Sequence, residues 1–269
     1  MIESKRHKCA VPFGTAAICI RQSGCAILCL TGETQRYLPC GKRYVCCANE
    51  SDKETVTMTH EEERIDKGIL FCPTDPELKA IKLRAHKLSQ DYNALYEDQT
   101  EERARILSEL LGGLGERSFL QGPITLHYGR HTTIGKRTFI NFHFTCQDDA
   151  RVTIGDDCNF GPGVTIVTPL HPMLADERRM MRNAGGEPTR FCYAKPVKIG
   201  NDCWLGAGVT VCPGVTIGDR VVIGAGSVVT RDIPSDTFAA GVPCRVIRPL
   251  TEADSLAHKP EILADCSLL

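Results

Sequence analysis

The chain has 269 residues, of which 42% are hydrophobic, and its formal net charge at pH 7 is −1. This length allows one large domain or two small ones, and the hydrophobic content is enough for a buried core. The near-zero charge argues against binding to nucleic acid or to an anionic membrane surface, and no apolar run of about 18 residues predicts a membrane span.

Residues 1–57 form a segment of their own. A basic cluster (Lys5, Arg6 and Lys8) precedes short apolar stretches that contain Pro and Gly, and no clean small-residue cleavage site ends them. This pattern does not match a secretory signal. We predict that residues 1–57 are disordered or are an extension that does not belong to the working protein, for which Met58 is a natural start.

The fifteen cysteines are unevenly distributed, with seven of them before residue 58. Cys146, Cys158, Cys203 and Cys212 occupy small or aliphatic-like positions in the repeats described below. Thiols in such places behave as small buried hydrophobic groups and persist in a reducing compartment. The spacing also lacks a convincing set of CxxC pairs for a metal. The cysteines therefore predict a cytoplasmic protein without a disulfide framework or a metal site.

Residues 58–115 predict a small helical region. In HEEERIDKGILF, acidic residues lie where a first helical turn favours them, and apolar residues follow at helical spacing. Thr74 or Asp75 then provides an N-cap before Pro76 at the first helical position. The helix that follows extends to Leu95, and a third spans about residues 100–111, where glycines end it.

Residues 116–250 contain a six-residue repeat, which is clearest between Ile199 and Pro234. An aliphatic residue begins each unit of IGNDCW, LGAGVT, VCPGVT, IGDRVV, IGAGSV and VTRDIP. This period fits neither a helix nor ordinary hairpins, and it is the signature of a parallel β-helix whose coils stack their aliphatic side chains inward. An earlier block begins near Ile124 or Tyr128 and ends at Ile166. We therefore predict a mainly β fold, with residues 251–269 as a C-terminal tail.

A segment without the repeat, residues 168–196, separates the two blocks. It contains charged residues, Pro and Gly, and His171-Pro172 lies near its start. Long excursions from a regular scaffold are places where binding and catalytic groups tend to lie. The sequence therefore predicts functional residues in this inserted loop, with His171 as the first candidate.

Residues 58–250 resemble the maltose/galactoside O-acetyltransferase family of hexapeptide-repeat transferases. The matching segments are ERIDKGILF, DPEL, INFHF, DDARVTIGDDCNFGPGV, the His-Pro loop, KPVKIGNDCWLGAGVTVCPGVTIGDRVVIGAGSVVTRDIP and AAGVPCRVIR. The resemblance implies a left-handed β-helix, an exception to the right-handed crossover rule. It also implies a homotrimer with active sites between neighbouring subunits, acetyl-CoA as the donor and a small-molecule sugar as the acceptor.

The resemblance implies catalytic roles for His171 and Asn141. His171 matches the general base, and an imidazole has a suitable pKa for removing the proton of an attacking hydroxyl group. Asn141 matches an asparagine that contacts the acceptor, and its amide can donate to developing negative charge. Direct transfer in a ternary complex then needs no covalent enzyme intermediate.

Three positions match the acceptor site. Asp149 matches an acceptor-binding acid, with Asp148 beside it as the alternative partner. His127 stands where the family often has Ser or Asp, which leaves the preferred acceptor open. The acidic or hydroxyl position of the N-terminal region falls at Pro73, with Asp75 as the nearby candidate.

The loop after His171 is longer than in the shortest members of the family, around residues 180–189. The additional residues include Met180 and Met181. We expect this difference to reshape the acceptor pocket and to alter the choice of substrate.

The positions that match the acetyl-CoA site belong to the second repeat block and the segment after it. Ala207 matches a residue that contacts the acetyl end through its backbone, so its side chain matters little. Arg231 stands where Lys is commoner and keeps the charge, and the last two arginines match residues near the nucleotide phosphates, which a guanidinium fork suits. The full set is Trp204, Ala207, Ala225, Thr230, Arg231, Arg245 and Arg248.

Three other functions are weighed against this one. The first is a hexapeptide acyltransferase whose acceptor is not a sugar, such as serine or a xenobiotic hydroxyl compound. The second is a scaffold without catalysis, against which the combination of His171, Asn141 and Asp149 argues. The third is a γ-type carbonic anhydrase, which needs three zinc-binding histidines at subunit interfaces. The coil offers His127, His131, His143 and His171, but their surroundings do not match that family's motifs.

Overall fold

The computed structural model describes residues 16–20, 26–30 and 58–263. In the N-terminal segment, strands Ala16–Ile20 and Ala26–Leu30 pair antiparallel, and the prediction for the rest of residues 1–57 falls outside the described residues. The chain divides into two units, Met1–Thr57 and Met58–Leu269. No helix within the described ranges is long and apolar enough to cross a membrane.

Between Met58 and Gly113 lie α1 (His60–Asp66), α2 (Pro76–Asn93) and α3 (Thr100–Leu110). The structure ends α1 at Asp66, before the apolar residues Ile69 and Leu70 that follow at helical spacing, and Gly68 has a φ of 67°. A residue in this left-handed conformation cannot continue a helix, and glycine adopts it without strain.

The caps of α1 and α2 use side chains that the sequence supplies at the right spacing. Thr59 Oγ1 accepts a hydrogen bond from the Glu62 amide at 3.2 Å, and Glu62 Oε2 accepts one from the Thr59 amide at 2.7 Å. This reciprocal pair is a capping box. At α2 the N-cap is Asp75 rather than Thr74, because Asp75 Oδ1 accepts from the amides of Glu77 and Leu78 at 2.9 and 3.1 Å.

A parallel β-helix follows, with three faces made of short strands that are stacked coil upon coil. The first face has five strands: Gly113–Leu114, Thr132–Ile134, Val152–Ile154, Val197–Ile199 and Thr216–Ile217. The second face has seven strands: Phe119–Leu120, Phe139–Ile140, Asn159–Phe160, Trp204–Leu205, Val222–Ile223, Thr237–Ala240 and Arg245–Pro249. The third face has five strands: Ile124–Leu126, Phe144–Gln147, Thr165–Val167, Thr210–Val211 and Val228–Val229. The coil therefore begins at Gly113, before the Ile124 or Tyr128 start that we predicted.

The six-residue period places each repeat's aliphatic residue over its counterpart. Leu205 pairs with Ile223 on the second face, and Val211 pairs with Val229 on the third. These four side chains are buried in one continuous core, where removing each from water stabilises the fold by about 1.5–3 kcal/mol. The fold is thus a parallel β-helix with a small N-terminal helical region, as the repeat predicted.

Coil corners are closely packed, which explains the glycine beside many of the aliphatic residues. A Cβ atom built on Gly155 would lie 2.6 Å from the carbonyl oxygen of Gly200 in the next coil. Only a residue without a side chain allows this approach. The glycines therefore set the spacing between neighbouring coils.

Residues 168–196 leave the coil after Thr165–Val167 and rejoin it at Val197–Ile199. The excursion contains two antiparallel strand pairs and a short helix, α4. The pairs are Pro169–Leu170 with Tyr193–Ala194 and Met181–Arg182 with Pro188–Thr189, and α4 spans Ala175–Arg178.

The C-terminal end of the excursion is hydrogen-bonded to the segment before α2. The Phe71 amide donates to the Cys192 carbonyl at 2.9 Å, and Thr74 Oγ1 donates to Thr189 Oγ1 at 2.8 Å. Thr189 is buried. These bonds hold the C-terminal end of the excursion in place, whereas most residues between Met173 and Pro188 remain exposed.

The last coil is extended by a strand of the opposite direction. Thr237–Ala240 pairs antiparallel with Arg245–Pro249. Two 3-10 turns, Glu252–Asp254 and Leu256–His258, and a short helix, α5 (Pro260–Leu263), complete the described residues.

Candidate active site

Asp149 is a buried carboxyl group beside the third face of the coil. Its residue is 3% exposed, and its Oδ2 atom has no hydrogen-bond partner in the part of the chain that the structure describes. Burial, together with the charge of Asp148, raises the pKa of Asp149 to about 7, although the positive charge of His131 opposes the shift. An unpartnered buried carboxyl oxygen is costly in the free protein, so this atom marks a place where a ligand can donate a hydrogen bond.

His127 faces this carboxyl group. Its Nε2 atom lies 4.0 Å from Asp149 Oδ1, and its ring centroid lies 5.7 Å from that of His86. Burial, together with the positive charges of Lys82, His86 and His131, lowers the pKa of His127 to about 4. The imidazole is therefore neutral near pH 7, when Asp149 is only partly ionised. Neutral groups that both donate and accept suit the hydroxyl groups of an acceptor.

A charged network behind these residues holds the backbone of Asp149. The ring of His131 places Nδ1 at 2.8 Å from the carbonyl oxygen of Asp149 and at 2.9 Å from that of Asp148. Its Nε2 atom lies 2.8 Å from Oε1 of Glu62. Both ring nitrogens thus face acceptors, which is the arrangement of a protonated imidazole.

Glu62 joins α1 to this network. Its carboxylate accepts from His131 and from both Nε and Nη2 of Arg130. Burial alone would raise the pKa of Glu62, but the hydrogen bonds from His131 and Arg130 outweigh it and hold the pKa well below its usual range. For His131, burial disfavours the charge, and the bond to Glu62 with the nearby carboxylates outweighs that effect and raises the pKa.

Sequence reasoning did not find Glu62, Arg130 or this role of His131. From the sequence, Glu62 is only an acid of the first helical turn, and His131 is only a possible zinc ligand. Glu62 and His131 are 69 residues apart, and no local pattern links them. The only sequence signal is the capping-box spacing from Thr59, which places Glu62 at a helix start but does not identify its partners.

We expect Asp149→Asn to change how stability depends on pH. Asp149 has a higher pKa in the folded protein (about 7) than an unfolded aspartate (about 3.9), so the folded state binds more protons between these values. The contribution of Asp149 to wild-type stability should therefore fall as pH rises through this window, and Asp149→Asn should lack this fall. Denaturant unfolding at several pH values measures the difference.

The control for that experiment is Asp91→Asn, because Asp91 is an exposed acid of α2. Its pH profile should follow that of the wild type. Parallel profiles for Asp149→Asn and the wild type between pH 4 and 7 would contradict the raised pKa.

The surroundings of His171 differ from those of the buried Asp149 cluster. His171 follows the strand Pro169–Leu170 and is exposed, and it lines a pocket of about 380 Å³ together with Ala175, Arg178, Arg179 and Arg190. Within residues 58–263, no hydrogen bond joins its ring to Asn141 or Asp149. The geometry thus brings His127 and Asp149 together, and neither of them is among the described residues that line the pocket beside His171.

Asn141 and Asp75 have local hydrogen bonds. Asn141 is half-buried after the strand Phe139–Ile140, and its Oδ1 accepts from the Phe142 amide at 2.8 Å. Its side-chain NH₂ group has no acceptor among the described residues, so it is available to a ligand. Asp75 uses Oδ1 to cap α2, which gives it a structural role whether or not it contacts an acceptor.

Trp204, Ala207 and Ala225 form an exposed surface on two successive coils. Trp204 is 57% exposed, and it pairs with Val222 in the coil that also carries Ala225. In the described part of the chain, the amides of Ala207 and Ala225 have no hydrogen-bond acceptor. The surface therefore offers an indole face and two backbone donors, which fit the amide-rich arm of CoA.

The four remaining predicted CoA residues are all exposed. Thr230 and Arg231 follow the strand Val228–Val229, in the same coil as Ala225. Arg245 donates to the Cys244 carbonyl at 2.7 Å, whereas Arg248 makes two bonds to Asp254 at 2.6 and 2.8 Å. A phosphate would have to compete with Asp254 for Arg248, but it would find other donors of Arg245 available.

The described residues include no group of three or more His, Cys, Asp or Glu side chains arranged to hold a metal ion. In particular, His131 is engaged with Glu62 and with two backbone carbonyls, and His171 lies among arginines. The histidines therefore give no support to the zinc site that a carbonic anhydrase would need.

Comparisons with known proteins agree on one family. Residues 64–115 match the maltose acetyltransferase hexapeptide capping motif, and residues 196–231 match the bacterial transferase hexapeptide (six repeats). The chain is 40% identical over 192 residues to galactoside O-acetyltransferase of Escherichia coli (strain K12), which covers 71% of this chain and 90% of that protein. It is also 40% identical over 194 residues to the putative acetyltransferase YJL218W of Saccharomyces cerevisiae, covering 72% and 94% of the two chains.

Solved structures lead to the same group. A galactoside acetyltransferase in complex with coenzyme A has a TM-score of 0.66 and 38% identity, over 73% of this chain and 94% of that one. A maltose O-acetyltransferase from Clostridium difficile 630 has a TM-score of 0.66 and 39% identity, over 72% and 99% of the two chains.

Proposed function

Because this chain belongs to the maltose/galactoside O-acetyltransferase family of hexapeptide-repeat acetyltransferases, we propose that it transfers an acetyl group from acetyl-CoA to a hydroxyl group of a sugar. The single observation that carries the proposal is the position of His171, which matches the family's general base and lines a pocket of about 380 Å³. A pocket of this volume is within the usual range for small ligands.

Acetyl-CoA would supply an activated acetyl thioester at the exposed surface of Trp204, Ala207 and Ala225. The indole packs against the apolar arm, and the two free backbone amides donate to its carbonyl oxygens. Arg231 and Arg245 hold positive charge toward the nucleotide end. The assignment is supported by the solved relative that is in complex with coenzyme A.

His171 would act as the general base, removing the proton of the acceptor hydroxyl as it attacks. A sugar hydroxyl is a poor nucleophile at neutral pH, so this proton transfer contributes about 10²–10⁴-fold to the rate. The free NH₂ group of Asn141 would donate to the negative charge that develops on the carbonyl oxygen. Both groups act while donor and acceptor are bound together, without a covalent enzyme intermediate.

Asp149 and His127 would bind the acceptor hydroxyls. The unpartnered Oδ2 of Asp149 accepts a hydrogen bond, and the neutral His127 ring can donate or accept. Since His171 does not contact this cluster within one chain, we propose a homotrimer in which the two halves of each site come from neighbouring subunits.

The acceptor is tested with the full chain, labelled acetyl-CoA and a panel of maltose, glucose, galactosides, amino sugars and serine. We expect the label to appear in a sugar, with release of one CoA per acetyl group transferred. Label in serine alone would support the non-sugar alternative, and no transfer to any acceptor would favour the scaffold alternative. Analytical ultracentrifugation of the same sample tests the trimer.

A further inference from the structure

The pocket beside His171 has a strongly cationic lining. Arg178, Arg179 and Arg190 contribute three of its five lining residues, and the others are His171 and Ala175. Among the described residues, no carboxylate belongs to the lining. The excursion predicted from the sequence to carry functional groups thus surrounds the candidate base with guanidinium groups, a feature that a neutral sugar does not require.

Arg178 is held in place by the turn that carries His171. Its Nη1 atom donates to the carbonyl oxygens of Pro172 and Met173 at 3.1 and 2.9 Å. These bonds fix the guanidinium next to the base, while Nε and Nη2 have no partner in the described residues. The side chain is therefore oriented, and part of its donor set remains available.

The other two arginines have little that neutralises them. Arg179 pairs with Asp176 at 2.6 Å, but both side chains are mostly exposed, and such a surface pair contributes at most about 1 kcal/mol. For Arg190, residues 58–263 provide neither a hydrogen bond nor an ion pair. Three like charges around one small pocket repel each other, and a bound anion relieves this repulsion.

From this arrangement, and on the premise of the proposed function, we propose that the pocket is an anion subsite that selects a hydroxylated acceptor carrying a carboxylate or phosphate group. Planar guanidinium groups bind both anions with paired hydrogen bonds. An anion held by Arg178 and Arg190 lies in the same pocket as His171, so a hydroxyl on the same small molecule is brought to the base.

Two other anions compete with this assignment. The phosphates of CoA carry the same chemistry, and the acidic side chains of a second copy of this chain could meet the same arginines. The three possibilities predict different effects when an arginine of the pocket is replaced. An acceptor subsite alters the KM for the acceptor, a CoA subsite alters the KM for acetyl-CoA, and a subunit contact alters the oligomeric state.

The test compares glucose, glucuronate and glucose 6-phosphate as acceptors for the wild type and for Arg190→Gln. We expect the wild type to prefer at least one anionic acceptor by about tenfold in kcat/KM, the effect of one good charge-assisted bond. Arg190→Gln should remove the preference through KM with kcat unchanged, because the guanidinium binds the ground state and the transition state equally.

Arg182→Gln is the matched control. Arg182 is an exposed arginine of the same excursion, but its Nη1 donates to the Gly186 carbonyl and it does not line the pocket. The variant removes the same charge and should keep the preference. Calorimetric titration of glucuronate into each protein without acetyl-CoA provides a readout independent of catalysis, with binding about tenfold weaker in Arg190→Gln only.

Each other outcome rejects the inference. Equal use of glucose and both anionic sugars by the wild type would overturn it while leaving the acetyltransferase proposal intact. A changed KM for acetyl-CoA, or a changed sedimentation coefficient, in Arg190→Gln would assign the arginine to CoA or to a subunit contact. If CoA is not released with any of the acceptors, the proposed function fails. The absence of glucuronate binding in the titration would separately reject the anion subsite.

Discussion

His171→Ala is expected to lower kcat for acetyl transfer by about 10²–10⁴-fold, the usual contribution of a positioned general base. The KM values for donor and acceptor should change little, because the base acts in the transition state rather than in ground-state binding. The side chain is exposed at the start of the excursion, so its truncation should leave the fold intact. Steady-state kinetics with each substrate varied in turn measures the effect.

The matched variant is His258→Ala, which removes another exposed histidine, far along the chain in the turn Leu256–His258. It should retain wild-type kcat. Wild-type turnover by His171→Ala would eliminate the general-base assignment, whatever the acceptor turns out to be.

Glu62→Gln should destabilise the protein by about 3–5 kcal/mol, as expected when one partner of a buried charged network is removed. Glutamine keeps the size of the side chain and the possibility of a capping box. It lacks the charge that neutralises Arg130 and His131, both of which hydrogen-bond the Glu62 carboxylate. Denaturant unfolding monitored by circular dichroism gives the change in free energy.

Glu63→Gln is the control, since Glu63 is the next residue of α1 and makes only an exposed ion pair with Lys67 at 3.6 Å. Glu63→Gln should lower the free energy of unfolding by less than about 1 kcal/mol. A loss for Glu62→Gln that is as small as the loss for Glu63→Gln would show that the network contributes no stability.

The effect of Glu62→Gln should also depend on pH in a defined direction. The folded pKa of Glu62 is lowered, so its contribution is present above the unfolded value of about 4.3 and is lost as pH falls below it. The folded pKa of His131 is raised, so its contribution is present below about 6.5 and is lost as pH rises through the folded pKa. The difference from wild type should therefore be largest between about pH 4.3 and 6.5.

Glu62→Gln should also weaken acceptor binding, although Glu62 itself need not contact the acceptor. His131 holds the backbone carbonyls of Asp148 and Asp149, so loss of Glu62 loosens the segment that presents the Asp149 carboxyl group. In Glu62→Gln we expect a higher KM for the acceptor and an unchanged KM for acetyl-CoA.

The repeat made the coil predictable from sequence because its period is a local property of the chain. Each hexad repeats the same strand and corner, so equivalent residues such as Leu205 and Ile223 stack in successive coils. The start of the coil was placed too late, although Leu114, Leu120 and Leu126 already recur every six residues. Gly113–Leu114 and Phe119–Leu120 pair with Thr132–Ile134 and Phe139–Ile140. The cap of α2 was also predictable, with Asp75 as one of two candidates.

The site was predictable only as a set of positions. The resemblance gave His171, Asn141 and Asp149, and the structure adds what surrounds each of them. The arginines around His171 come from two separated parts of the excursion, the adjacent Arg178 and Arg179 and the later Arg190. The partners of His131 come from α1 and from the next coil. Neither grouping has a sequence period, because both arise where the chain folds back upon itself.

The sequence by itself determined the β-helix, the interruption by residues 168–196 and the residues that match a family of acetyltransferases. Those features depend on residues that are close together in the sequence, so they can be recognised from the sequence alone. Only the tertiary structure decided that Asp149 has a pKa near 7, that Glu62 supports it from another element and that His171 shares a pocket with three arginines. Electrostatic interactions and burial depend on distance in space, and residues separated by 69 positions in the chain acquire that distance only when the coils are stacked.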